Sequence, residues 1–111
     1  MKFDFSFWKK TLSEKEKKQE ERNSTLQKTI YVLKAYFGDK NVKKVYLVGS
    51  ILQPHRFFPF SDIDIAVEGL EEPYLQTLVA IEDLLGRDVD LIELEKSSLK
   101  ESLEEIGVRI V

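Results

Sequence analysis

Val45-Tyr46-Leu47-Val48-Gly49-Ser50 and Ser61-Asp62-Ile63-Asp64-Ile65-Ala66-Val67 are the two stretches whose reading decides the fold. The first is a continuous apolar run, the pattern of a central strand covered on both faces, and Gly49-Ser50 closes it. The second alternates, with Ile63, Ile65 and Val67 on one face and Asp62 and Asp64 on the other. Between them, Ile51 to Ser61 contains Pro54, Pro59 and three phenylalanines without helical or strand period, and reads as a loop. Downstream, Val89-Asp90-Leu91-Ile92-Glu93-Leu94 predicts a third strand, with Asp90 on the face of Asp88, Ile92 and Leu94.

Helices are expected around these strands. Leu26, Ile30, Leu33 and Phe37 recur at steps of four, three and four, one stripe of a helix packed on a sheet, and Gly38 suits its left-handed end. Pro73 stands at a first helical position behind Glu71 and Glu72, with Tyr74, Leu78, Ile81 and Leu85 as the buried stripe and Gly86 as the stop. Ser98 and Glu101 form a capping box for a last helix that carries Leu99, Leu103 and Ile106 inward and ends at Gly107, followed by a short strand over 108–111. Helix, strand, strand, helix, strand, helix predicts an α+β domain, a small mixed β-sheet with helices packed on it. The strand order stays open.

The N-terminal region divides the chain into residues 1–24, an aromatic segment with a charged helical extension, and a domain over 25–111. Phe3, Phe5 and Phe7 alternate with Asp4 and Ser6, as in an edge strand or docking arm, or in a terminus whose aromatics cover a core edge. From Thr11 to Arg22 the chain is almost wholly polar; Ser13 with Glu16 makes a capping box, and Glu14 precedes Lys18 at the favourable helical spacing. Whether Asn23 and Ser24 break this helix from the next is left open.

Composition narrows the chemistry. With 111 residues, 42% hydrophobic and 33% charged, the chain has one core and is not disordered. A net charge of −3 gives no general field for nucleic acid, and DNA is not expected as a partner. No apolar run is long enough for a membrane helix and the first ten residues are not a signal peptide, so a soluble cytoplasmic protein is expected. The absence of cysteine excludes disulfides, thiolate metal sites and a thiol nucleophile. With His55 as the single histidine, a metal site must be built from carboxylates, which favour hard ions such as Mg²⁺.

Asp62 and Asp64 share one face of an otherwise apolar strand, where repulsion and desolvation are costly unless a cation or solvent compensates. If the strand of Asp90 lies beside theirs, three carboxylates converge. Such a group can hold two Mg²⁺ roughly 3.5 to 4 Å apart, the arrangement that clamps the attacking and leaving oxygens of nucleotidyl transfer. Gly49 allows close backbone approach to a phosphate, and the corner's N–H groups with the Ser50 hydroxyl can cradle that anion.

Taken together, Val48-Gly49-Ser50, Ser61-Asp62-Ile63-Asp64-Ile65-Ala66-Val67 and Val89-Asp90-Leu91 resemble the minimal nucleotidyltransferase (MNT) domain of the DNA polymerase β superfamily, from about Leu26 to the last residue. The resemblance implies Gly49 and Ser50 on the triphosphate of an NTP, Asp62 and Asp64 as metal ligands, and Asp90 as third carboxylate near the attacking hydroxyl. It also implies a partner: small stand-alone members resembling this one are often antitoxins paired with a HEPN-domain toxin, and some transfer AMP from ATP to a tyrosine hydroxyl of that toxin.

The loop departs from the family pattern. It has eleven residues, Ile51 to Ser61, and no glycine, where the family often opens with a basic, glycine-containing run. Arg56 is the candidate for the phosphate-facing role. Phe57, Phe58 and Phe60 are read as loop core in preference to a base-stacking surface, and His55 as a surface residue. Glu68 and Glu93 are expected to be solvated, and Tyr31, Tyr36, Tyr46 and Tyr74 to be packing residues. Two alternatives stand beside protein-directed transfer: an inactive antitoxin acting by contact, and an enzyme acting on a small molecule or RNA end. The aromatics from Phe3 to Trp8 point to homo- or hetero-oligomerisation.

Overall fold

The computed structural model describes the backbone of residues 6–53 and 55–111, and side chains from Gln19 onward within those spans. Helix α1 (Ser6–Phe37) is followed by β1 (Lys44–Val48), a single 3-10 turn (Ser50–Leu52), β2 (Ile63–Glu68), α2 (Tyr74–Leu85), β3 (Val89–Glu93), a second 3-10 turn (Leu94–Lys96), α3 (Lys100–Ile106) and β4 (Val108–Arg109). The strands form one mixed sheet in the order β3-β2-β1-β4. β1 runs antiparallel to β2 and β4, while β2 and β3 are parallel, joined by the α2 crossover. The α+β expectation holds.

α1 is one helix of 32 residues, about 48 Å long at 1.5 Å per residue. Asn23 and Ser24 do not break it, since each lowers helix propensity by only about 0.5 kcal/mol while the downstream stripe is anchored by burial. Ser13 is consequently interior to the helix rather than at its start, against the capping-box expectation. The boundary drawn between residues 24 and 25 falls inside the same helix. Phe7 is helical, and the rest of the expected Phe3 to Phe5 strand pattern lies outside the described residues.

The sheet has two unequal faces. On one, Val45, Leu47, Ile63, Ile65, Val67, Val89 and Leu91 pack with Leu33 and Phe37 of α1 and Ile81 and Leu85 of α2 into the main core. On the other, Tyr46, Val48, Ala66 and Leu94 form a smaller cluster joined by Ile92 and Leu103. α3 buries none of its residues, and Leu99 and Ile106, expected inward, are exposed. It starts at Lys100, after Leu99, with no side-chain cap, so Ser98 and Glu101 do not act as a capping box. Pro73 is the residue before α2, one position earlier than expected, and fully buried Thr77 takes the place in the stripe predicted for exposed Tyr74.

Local polar contacts seat the helices. The buried Thr29 hydroxyl donates to the Thr25 carbonyl, 2.6 Å, within α1. Tyr36 donates to Glu72 at 2.6 Å, and Gln76 and Thr77 donate to the same carboxylate, which ties the end of α1 to the start of α2. Glu68 and Glu93 are not solvated as expected: both are largely covered and ion-paired, Glu68 with Lys100 at 3.2 Å and Lys44 at 3.9 Å, Glu93 with Lys96 at 3.1 Å. Tyr31 is 75% exposed and packs nothing, whereas Tyr46 is buried. Among the described residues no helix is long and apolar enough to cross a membrane.

Candidate active site

Strand pairing assembles the acidic group. β2 is an interior strand, and its Asp64 lies opposite Asp90 of β3 on one side and Val48 of β1 on the other. Asp64 alternates out of the main core, onto the thinly covered face of Ala66 and Val48. Asp64 is half-buried, while Asp90 and Asp62 are exposed. Asp62 precedes β2 by one residue rather than belonging to it, so the ladder does not fix its position.

The Asp64 carboxyl senses both of its acidic neighbours. Burial pushes the Asp64 carboxyl up from its ordinary value, and the charges of Asp90 and then Asp62 push it further. Tyr74 lies close by: its hydroxyl donates to the Leu91 carbonyl at 2.6 Å, and burial followed by the Asp90 charge raises its pKa.

Gly49 closes the site from β1. It has φ of +81°, and a Cβ placed there would stand 1.9 Å from Oδ2 of Asp64. Only glycine lets the corner after β1 lie against this carboxylate. Ser50 opens the 3-10 turn, with Leu52 N–H donating to the Gly49 carbonyl and Gln53 N–H to the Ser50 carbonyl. Fully buried Ile51 plugs that turn into the core, and Arg22 of α1 donates to the Ile51 carbonyl at 2.9 Å.

This is the strand-corner, paired-aspartate and third-strand arrangement of a known transferase family, and residues 27–110 match the family described as polymerase beta, nucleotidyltransferase. The chain belongs to the polymerase β nucleotidyltransferase family. A crystal structure of a toxin-antitoxin pair, MntA-HpeT, carrying glutamate for two aspartates two positions apart, is similar in fold to this nucleotidyltransferase. The TM-score is 0.61 at 24% identity, over 74% of this chain and 71% of that one. No curated protein sequence matches.

Nucleotidyltransferases of this family generally use an NTP and a divalent metal. The donors here suit a hard cation in kind: they are carboxylates, and Asp64 carries a repulsion that a cation would relieve. Among the described residues, however, no three or more His, Cys, Asp or Glu side chains already stand grouped to hold an ion.

Arg56 and His55 are exposed, and Arg56 makes its hydrogen bond through the backbone, N–H to the Gln53 carbonyl at 3.1 Å. Of the loop aromatics only Phe57 packs on the core; Phe58 and Phe60 are exposed and stack on each other, centroids 5.4 Å apart, which corrects their reading as loop core. Arg22 and Tyr74 were not read as site residues in the sequence, where no local pattern links an arginine or tyrosine to a distant carbonyl.

Proposed function

We propose that this nucleotidyltransferase is a Mg²⁺-dependent enzyme that transfers a nucleotide monophosphate, AMP from ATP in the first instance, to a hydroxyl of a protein partner. The partner would be a HEPN-type toxin, the acceptor a tyrosine, the protein its antitoxin and the cytoplasm its place of action. Residues 25–111 would be the transferase domain and residues 1–24 its extension. The observation that carries the reading is the pairing of Asp64 with Asp90 across adjacent strands, with Asp62 two residues upstream. The fold likeness to a toxin-antitoxin pair supports the biological role.

In this reading Asp62, Asp64 and Asp90 hold the metal, and Gly49, Ser50 and Arg56 receive the triphosphate. A Mg²⁺ ion held there would supply charge neutralisation for the phosphates and a lowered pKa for the attacking hydroxyl. The chain's own residues supply position: the ladder fixes Asp64 against Asp90, and the Gly49 corner, packed on Asp64, sets the phosphate cradle beside the carboxylates. The acceptor hydroxyl gives up its proton to solvent and its oxygen bonds to the α-phosphorus as the bond to the pyrophosphate oxygen breaks, and pyrophosphate leaves.

The test is to incubate the protein with its partner, Mg²⁺ and each NTP and to record the intact masses of both chains. One added nucleotide monophosphate, absent with D62A/D64A, establishes activity, nucleotide and acceptor together. Unchanged masses beside a stable complex would instead favour the contact-only antitoxin, a reading motivated by the glycine-free loop.

A further inference from the structure

We propose that Arg87 is a positioning residue for Asp62, holding the turn that leads into this carboxylate against the segment that leads into Asp90. The proposal rests on the nucleotidyltransferase reading above and deepens it.

Asp64 and Asp90 are placed by the ladder, but Asp62 lies before β2, exposed, with the pairing reaching only to the Ile63 N–H, which donates to the Asp88 carbonyl at 3.0 Å. What precedes Asp62 is the turn Phe58 to Ser61. It is closed by two reciprocal bonds, Ser61 N–H to the Phe58 carbonyl and Phe58 N–H to Ser61 Oγ, both 2.9 Å. Phe58 and Phe60 face solvent, so burial does not anchor this turn to the domain.

Arg87 does. Its Nη2 donates to the carbonyls of Phe58, 3.0 Å, and Pro59, 2.6 Å, and its guanidinium lies 4.5 Å over the ring of Phe57. Arg87 sits between α2 and β3, three residues before Asp90, so one side chain spans from the approach to the third carboxylate to the approach to the first. A turn freed from this brace would leave Asp62 to sample positions away from the other two, at a cost in metal affinity.

The probe is Mn²⁺, titrated calorimetrically into the full chain, with amide exchange of Ser61 and the thermal midpoint measured on the same samples, and D62A as the control that loses binding. Arg87→Met is expected to raise the Mn²⁺ Kd about tenfold and to speed Ser61 exchange, with the midpoint within about 5 °C of the parent. Arg87→Lys is expected to recover part of the affinity, because an ammonium still has donors for both carbonyls but does not stack on Phe57 as the guanidinium does. Ser61→Ala, which loosens the same turn without touching Arg87, is expected to raise Kd about threefold and keeps the test decisive if Arg87→Met does not fold. Parent-like Mn²⁺ affinity in a folded Arg87→Met or in Ser61→Ala would overturn the proposal and leave the transferase reading standing, as would Arg87→Lys binding as weakly as Arg87→Met. No Mn²⁺ binding by the parent would overturn both.

Discussion

Asp64 is held in a position that favours its neutral form. Burial, Asp90 and Asp62 all raise its pKa, so the folded chain binds a proton there more tightly than the unfolded one does. Stability from this group therefore falls as pH rises from the ordinary 3.8 through the raised native value, and stays reduced above it. Asp64→Asn removes that penalty: its unfolding free energy in urea should decline less than the parent's between acid and neutral pH, while nucleotidyl transfer drops by about 100-fold or more. Gly49→Ala should instead destabilise the fold, since its methyl would overlap Oδ2 of Asp64 and its φ of +81° is strained for any L side chain. A loss of about 2 kcal/mol in a urea melt, together with loss of transfer, is expected. Asp64 and Asp90 stood out in the sequence as candidates because carboxylates interrupting apolar strands need an explanation, and Asp62 because it stands two residues from Asp64. Arg22 and Arg87 did not, because they bind backbone carbonyls 29 and 28 residues away, and a carbonyl has no sequence signature.

The helices show where local signals hold and where they fail. Gly86, with φ of +67° and its N–H donating to the Glu82 carbonyl, ends α2 as its position suggested. Nothing lies within 4 Å of a Cβ there, so Gly86→Ala should cost only the conformational term, about 1 kcal/mol by chemical denaturation. Capping boxes misled at both ends of the chain: α1 runs through Ser13, and α3 starts two residues after Ser98. A capping box states that a helix can begin at a given residue, and a neighbouring turn that is also helical overrides it. The joint between α1 and α2 depends on Tyr36, whose hydroxyl is pushed up to about 12, first by burial and then by its bond to and the charge of Glu72. The same bond is the largest cause holding Glu72 below the usual carboxylate range. Stability from Glu72 is thus present above its ordinary pKa and lost as pH falls through the lowered native one. Tyr36→Phe should remove about 1 kcal/mol at neutral pH, with a shallower further loss on acidification, as followed by urea melts across pH.

The unequal coverage of the sheet separates the two jobs the protein is proposed to do. α1 and α2 seal one face, and the acidic group opens on the other, which is covered only by the small cluster around Leu94 and Leu103. Changing the carboxylates should leave the main core intact, so D62A/D64A is expected to lose transfer and still co-elute with the partner in size-exclusion chromatography. The order of the main helices and strands, the apolar alternation of β2 and the positions of the acidic residues were determined by the sequence alone, because period, turn residues and misplaced charges are local properties. The strand order β3-β2-β1-β4, the pairing of Asp64 with Asp90, the continuity of α1 and the bracing of the Asp62 turn were decided only by the tertiary structure. Each of these depends on which distant segments bury surface or share hydrogen bonds together, a global free-energy balance that no local pattern encodes.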